Sequence, residues 1–277
     1  MARGVVVATL VCVVAAGGAG WAQQDSPDRF AVRREIGLGI RAFRMGQYQE
    51  AAQHFEKAIQ MDPQSINQRL YLATSYASMY RPGATDAASL EWIHKAETEY
   101  LKVLELNPDD DTALRSLAGL AYERAEGIRD PAEKREQLKR AAGWYEQAGE
   151  SLPKDKGAFY MVGVIAWEQC EPAIRTARTA AGMGPATPGL IPDAAARAKL
   201  RAECGETLED GVATLKHAVE LDAGYAEAMN YLSLIERQEA SFAATEAEAA
   251  GHAKAAAEWD QKAAQARKHP ATPSAEP

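Results

Sequence analysis

The chain has 277 residues, 47 % of them apolar and 25 % charged, with a formal net charge of −8 at pH 7. That leaves room for one extended array or two compact domains with an ample core. The acidic balance and the lack of any basic stripe disfavour nucleic acid or an anionic membrane surface as partner. No alternating run rich in Val, Ile and Thr follows the N-terminal segment, so the expected class is all-α.

Residues 1–22 stand apart. Arg3 gives a short positive start, Val5 to Ala16 form an apolar run, and Gly20-Trp21-Ala22 puts small residues where signal peptidase reads. This pattern predicts a secretory signal peptide cut after Ala22, and hence an exported protein, periplasmic or secreted, with no membrane insertion after cleavage. The apolar run is short for a spanning helix, and the bulky Val11 before Cys12 argues against a lipid anchor.

Glu35 to Pro63 then sets the pattern for the rest. Ile36, Leu38, Gly39, Ala42 and Phe43 recur at helical spacing, Gly46 breaks the run, and Tyr48, Ala51, Ala52, Phe55, Ala58 and Ile59 form a second apolar stripe that ends before Pro63. A second unit opens at Ser65, with Gln68 three residues on in capping-box spacing. It continues through Leu70, Leu72, Ala73 and Tyr76, turns at RPGATDA, and resumes from about Ser89 to Leu106 before Asn107-Pro108. A third unit carries Leu114, Leu117, Ala118 and Ala121, then Asp130-Pro131 as a helix start, then Leu138, Ala141, Tyr145 and Ala148 before Leu152-Pro153. A fourth has Phe159, Val162, Gly163, Ala166 and Trp167, a Gly/Pro-rich stretch, and a second helix from Asp193 to Leu221 with Gly211, Leu215 and Ala218. A fifth has Ala228, Tyr231, Leu232 and Ile235, followed by an Ala-rich, charged helix from about Glu246 to Lys268 and a tail, 269–277, expected to be disordered.

Leu38-Gly39, Ala51-x-x-x-Phe55, Ala58 and Pro63 together resemble the tetratricopeptide repeat (TPR), although Glu35 and Ala42 stand where that family has Trp and Tyr. The recurrence carries the resemblance over about Glu35 to Leu234. It implies, after the signal peptide read above, a TPR-like α-solenoid of about ten antiparallel helices. The units fall at about 30–63, 65–108, 110–153, 155–223 with an insertion at 172–193, and 224–268 as a capping pair. The chain also looks like exported bacterial TPR proteins in which a long insertion follows a helix like GVIAW, here Gly163 to Trp167.

Small residues are expected where paired helices cross: Gly39/Ala51, Ala73/Ala96, Ala118/Ala141 and Gly163/Gly211. The first separation fits a 34-residue repeat. The middle units each carry 11 more residues between their helices, enough to lengthen both by roughly one and a half turns. The fourth carries 36 more, enough for a flap on the rim. Cys170 lies seven residues after Gly163 and Cys204 seven before Gly211, so the two thiols should face each other, either as a disulfide in an exported protein or as two free buried thiols.

No catalytic constellation stands out. His54, His94, His217, His252 and His269 are scattered, and no HExxH, GxSxG, CxxC or phosphate-cradling glycine loop is present, so neither enzyme activity nor a metal or other cofactor is expected. The resemblance implies a concave groove lined by the first helices of the units. Its family positions fall on Arg44, Asn67, Thr74, Arg115, Tyr122, Tyr160, Trp167, Asn230 and Arg237. The Lys/Asn set that TPR clamps use for a terminal carboxylate is not reproduced. The expected function is a scaffold that grips a peptide or protein segment. The alternatives are a structural subunit of a cell-envelope assembly that uses its convex face and rim, or a small-ligand binder or enzyme with a site under the 172–193 flap.

Overall fold

The computed structural model describes residues 27–184, 187 and 189–268. The expected signal peptide and the 269–277 tail lie outside the described residues. Among the described residues ten helices follow in order: α1 (Pro27–Arg44), α2 (Tyr48–Met61), α3 (Ile66–Ala77), α4 (Ala87–Leu106), α5 (Asp111–Gly127), α6 (Pro131–Ser151), α7 (Lys156–Ala180), α8 (Ala194–Leu221), α9 (Ala226–Phe242) and α10 (Glu246–Lys268). Among the described residues there is no strand, and no helix is long and apolar enough to cross a membrane.

Local chemistry explains where helices begin and end. Asp86, Asp110, Asp130, Asp155 and Asp193 each precede a helix and accept backbone N–H groups of its first turn, satisfying donors that the helix leaves open. Ser65 occupies the corresponding place before α3, but its side chain makes no capping bond, so the expected capping box does not form. Met61, Leu106 and Ser151 end their helices two residues before Pro63, Pro108 and Pro153. Gly46 takes φ +73° between α1 and α2, a conformation that favours glycine.

Each helix packs on its neighbours in sequence. In addition α1 touches α3, α3 touches α5, and α7 touches α9, with no comparable contact between second helices. The odd-numbered helices therefore form the inner side of the array. The core is built in part from small residues at the helix crossings: Ala51, Ala73, Ala96, Ala118 and Ala141 are all fully buried. Gly163 and Gly211 meet at the α7–α8 crossing. A Cβ on Gly163 would fall 2.2 Å from Leu215 Cγ, and one on Gly211 would fall 2.7 Å from Ala166 Cβ and 3.7 Å from Gly163 Cα. Gly39 makes room for the Phe55 ring, which a Cβ would meet at 2.8 Å.

The extra residues are distributed differently from expectation. In the second unit only α4 is long, at 20 residues, while α3 has 12. The remainder forms the 78–86 turn, because Pro82 offers no N–H and Gly83 takes φ +71°. The turn is seated against the end of α5, where a Cβ on Gly127 would lie 2.5 Å from Gly83 O. In the fourth unit the 172–193 insertion starts as helix, since α7 runs through Pro172 to Ala180. The missing N–H and ring clash of an interior proline cost about 3 kcal/mol. Burial of Cys170 and Ile174 on either side offsets this.

Candidate functional site: an aromatic inner face

The sequence-predicted groove residues separate into four sets. Arg44 and Asn67 are exposed at helix ends in the first two units. Thr74, Arg115 and Arg237 are committed to internal bonds. Thr74 Oγ1 donates to Leu70 O at 2.8 Å and lies 3.0 Å from the Tyr100 hydroxyl. Arg115 pairs with Asp111 and, at 3.1 Å, with Asp155, and Arg237 pairs with Asp260 of α10. Asn230 is partly buried on α9.

Tyr122, Tyr160 and Trp167 are brought together, and the structure adds Tyr225 and Tyr231. Tyr160 and Trp167 are seven residues apart on α7 and share one face. Tyr160 packs on Tyr225 at 5.2 Å and on Tyr231 at 5.7 Å between ring centroids, and Trp167 meets Tyr231 edge-on at 5.8 Å. Such tilted and edge-on geometries are the favoured ones for aromatic pairs. Tyr122 of α5 donates its hydroxyl to Glu168 Oε1 of α7 at 2.9 Å. Gln238, one row beyond Tyr231, donates to Trp167 O at 3.4 Å. All five aromatic residues are partly buried, so part of each stays open to solvent.

The electrostatics are one-sided. Lys156 pairs with Asp222 and sits 4.9 Å from the Tyr225 ring centroid. The nearby cations Arg115, Lys156 and Arg237 thus have partners within the chain. Glu168 and Glu227, which act on these tyrosines, have no ion pair among the described residues. Burial, then the neighbouring tyrosines and Glu227, push the Tyr160 phenol up to about 12. Burial and the Glu168 carboxylate push Tyr122 well above the ordinary tyrosine range. Both phenols hold their protons at neutral pH.

The cysteines and the insertion lie at the rim. Cys170 and Cys204 are both buried as free thiols, with Cys170 Sγ 3.9 Å from Cys204 O. Both ends of the described connection after α7 are tied down. Ile191 is buried and its N–H donates to Ser241 O at 2.9 Å. Arg178 donates to Ser241 Oγ, Gly184 O and Thr187 O, and Arg201 donates to Phe242 O at 2.6 Å. Ile174, Ile191, Leu200, Cys204 and Phe242 fill the space beneath as one apolar cluster.

Ten helices stacked in pairs, with an aromatic inner face, define an α-solenoid. Residues 36–65 match the tetratricopeptide repeat family model. The crystal structure of MamA protein is similar to the chain at a TM-score of 0.52 and 14 % identity, over 85 % of this chain and 94 % of that one. MamA from Desulfovibrio magneticus RS-1 (residues 41 to the end) is similar at 0.53 and 16 %, over 87 % and 98 %. No curated protein matches the sequence. The first unit thus matches a tetratricopeptide repeat, and the array as a whole is similar in fold to MamA.

Proposed function

We propose that the chain is a non-catalytic interaction module that holds an extended segment of a partner protein along its inner face, and that this segment is basic with apolar residues interleaved. The observation that carries this reading is the partly open aromatic floor of Tyr122, Tyr160, Trp167, Tyr225 and Tyr231 across α5, α7 and α9. Tyrosine and tryptophan are common anchors of recognition, and their faces attract Lys and Arg. Glu168 and Glu227 add negative charge with no internal cation to neutralise it, which selects a cationic partner and rejects an acidic one. Residues 1–22 support export, so the partner is sought in the periplasm or outside the cell.

A photo-reactive phenylalanine analogue placed at Tyr231, and separately at Gln147 on the exposed side of α6, tests the proposal in extracts of the cell envelope. The Tyr231 probe is expected to capture one dominant partner through a Lys- or Arg-containing peptide. Capture should fall about tenfold with Glu227→Lys and fall again as salt is raised. A partner captured only at Gln147 overturns groove binding in favour of the assembly-subunit reading.

A further inference from the structure

Outside the aromatic face, α9 and α10 assemble a second cluster. Glu236 and Glu239 lie one turn apart on α9, and His252 reaches them from α10. His252 Nδ1 is 2.8 Å from Glu236 Oε2 and 3.5 Å from Glu239 Oε2, and the three donor atoms all lie within 4.8 Å of one another. The glutamate side chains are 10 % and 13 % exposed and the imidazole 34 %. The carboxylates are therefore set back from water beneath an imidazole that reaches it. Glu209 and Lys216 of α8 are the other charged groups acting on Glu239. Three carboxylates thus face one lysine and one imidazole, and negative charge drawn away from water is costly unless a cation meets it.

We propose that Glu236, Glu239 and His252 form a site for a divalent first-row transition-metal ion, zinc foremost, that clamps α10 to α9. One imidazole nitrogen and two carboxylate oxygens are a donor set these ions accept, whereas magnesium and calcium take oxygen alone. Metal–ligand bonds of about 2.1 Å in a tetrahedral arrangement put neighbouring donors about 3.4 Å apart. The Glu239–His252 separation already matches. The Glu236–His252 separation has to open by about half an ångström once the metal displaces the hydrogen-bonded proton. Two of the ligands are one turn apart on one helix, so little order has to be created on binding. Three protein ligands leave a position for water, and the exposed imidazole edge gives the ion its way in.

The test uses the full chain, stripped with EDTA and titrated with ZnCl2 by calorimetry, with CoCl2 as a spectroscopic probe. One zinc per chain is expected, at a Kd of about 1 μM or tighter, with a rise in Tm through linkage. His252→Ala and the near-isosteric Glu239→Gln should each weaken zinc at least tenfold and remove the rise in Tm. Their circular dichroism should match the parent. A His94→Ala/His217→Ala variant, which removes two exposed histidines beside carboxylates, should bind as the parent does. Failure of the parent to bind one zinc, or binding of equal strength in Glu239→Gln, overturns the proposal.

Discussion

At the scale of single residues, space and proton affinity set the constraints. Leu215 fills the volume that a side chain on Gly163 needs and is itself fully buried. Gly163→Ala should therefore cost about 2 kcal/mol through overpacking and lower Tm by roughly 4–8 °C for a chain of this size, as differential scanning calorimetry would show. Tyr160 gives a pH signature. Its phenol is raised in the folded state, so its stabilising contribution is complete below pH 10 and is lost as pH rises through about 12. Ultraviolet titration should show several late-ionising tyrosines, Tyr122 and Tyr160 among them, and one fewer in Tyr160→Phe. The small residues were legible from stripe position, whereas Tyr160 entered only as a groove position that the family resemblance implies. Tyr231 was not such a position. The family register placed Asn230 and Arg237 on the inner face, whereas the contacts with α7 run through Tyr231 and Gln238, one residue on. Tyr225 sits just ahead of α9, where helical periodicity gives no signal.

At the scale of elements, α7 and α8 carry the chemistry of the rim. Cys170 and Cys204, two turns beyond the Gly163–Gly211 crossing, are placed to join the two helices covalently. Exposure to oxidised glutathione should take two electrons and two protons from the pair and leave an intramolecular disulfide, read by mass spectrometry as two hydrogens lost without dimer. Closing this loop should stabilise the chain by about 3 kcal/mol. Two free thiols persisting in protein from an oxidising compartment would contradict this. Helix ends were readable from Pro63, Pro108, Pro153 and the Asp130-Pro131 start, since proline and capping chemistry act locally. The length of α3 and the helical start of the insertion were not. Both depend on what lies opposite: α5 beneath the 78–86 turn, and the cluster around Ile174 beyond Pro172. Glu236, Glu239 and His252 were equally hidden, because the turn between α9 and α10 separates the glutamates from the histidine and the three share no motif spacing.

At the scale of the whole molecule, stability in a solenoid is a sum over neighbouring units, and units one to three follow that rule through simple stacking. The end of the array does not. The α7–α8 connection and the helices flanking it are bonded to the last turn of α9, through Ile191 of the connection, Arg178 of α7 and Arg201 of α8, and α7 also packs on α9. This strap gives the molecule a mechanical polarity. Stretched between its termini in an optical trap, the chain should peel from the α1 end in small, reversible steps. Lys156 to Lys268 should then hold to a higher force and rupture in one event, releasing about 400 Å of contour at roughly 3.5 Å per residue. Replacing Arg178 and Arg201 with alanine should split that event in two. A partner lying along α5, α7 and α9 would grip the stiffer end, leaving the first units to yield under load without letting go of it.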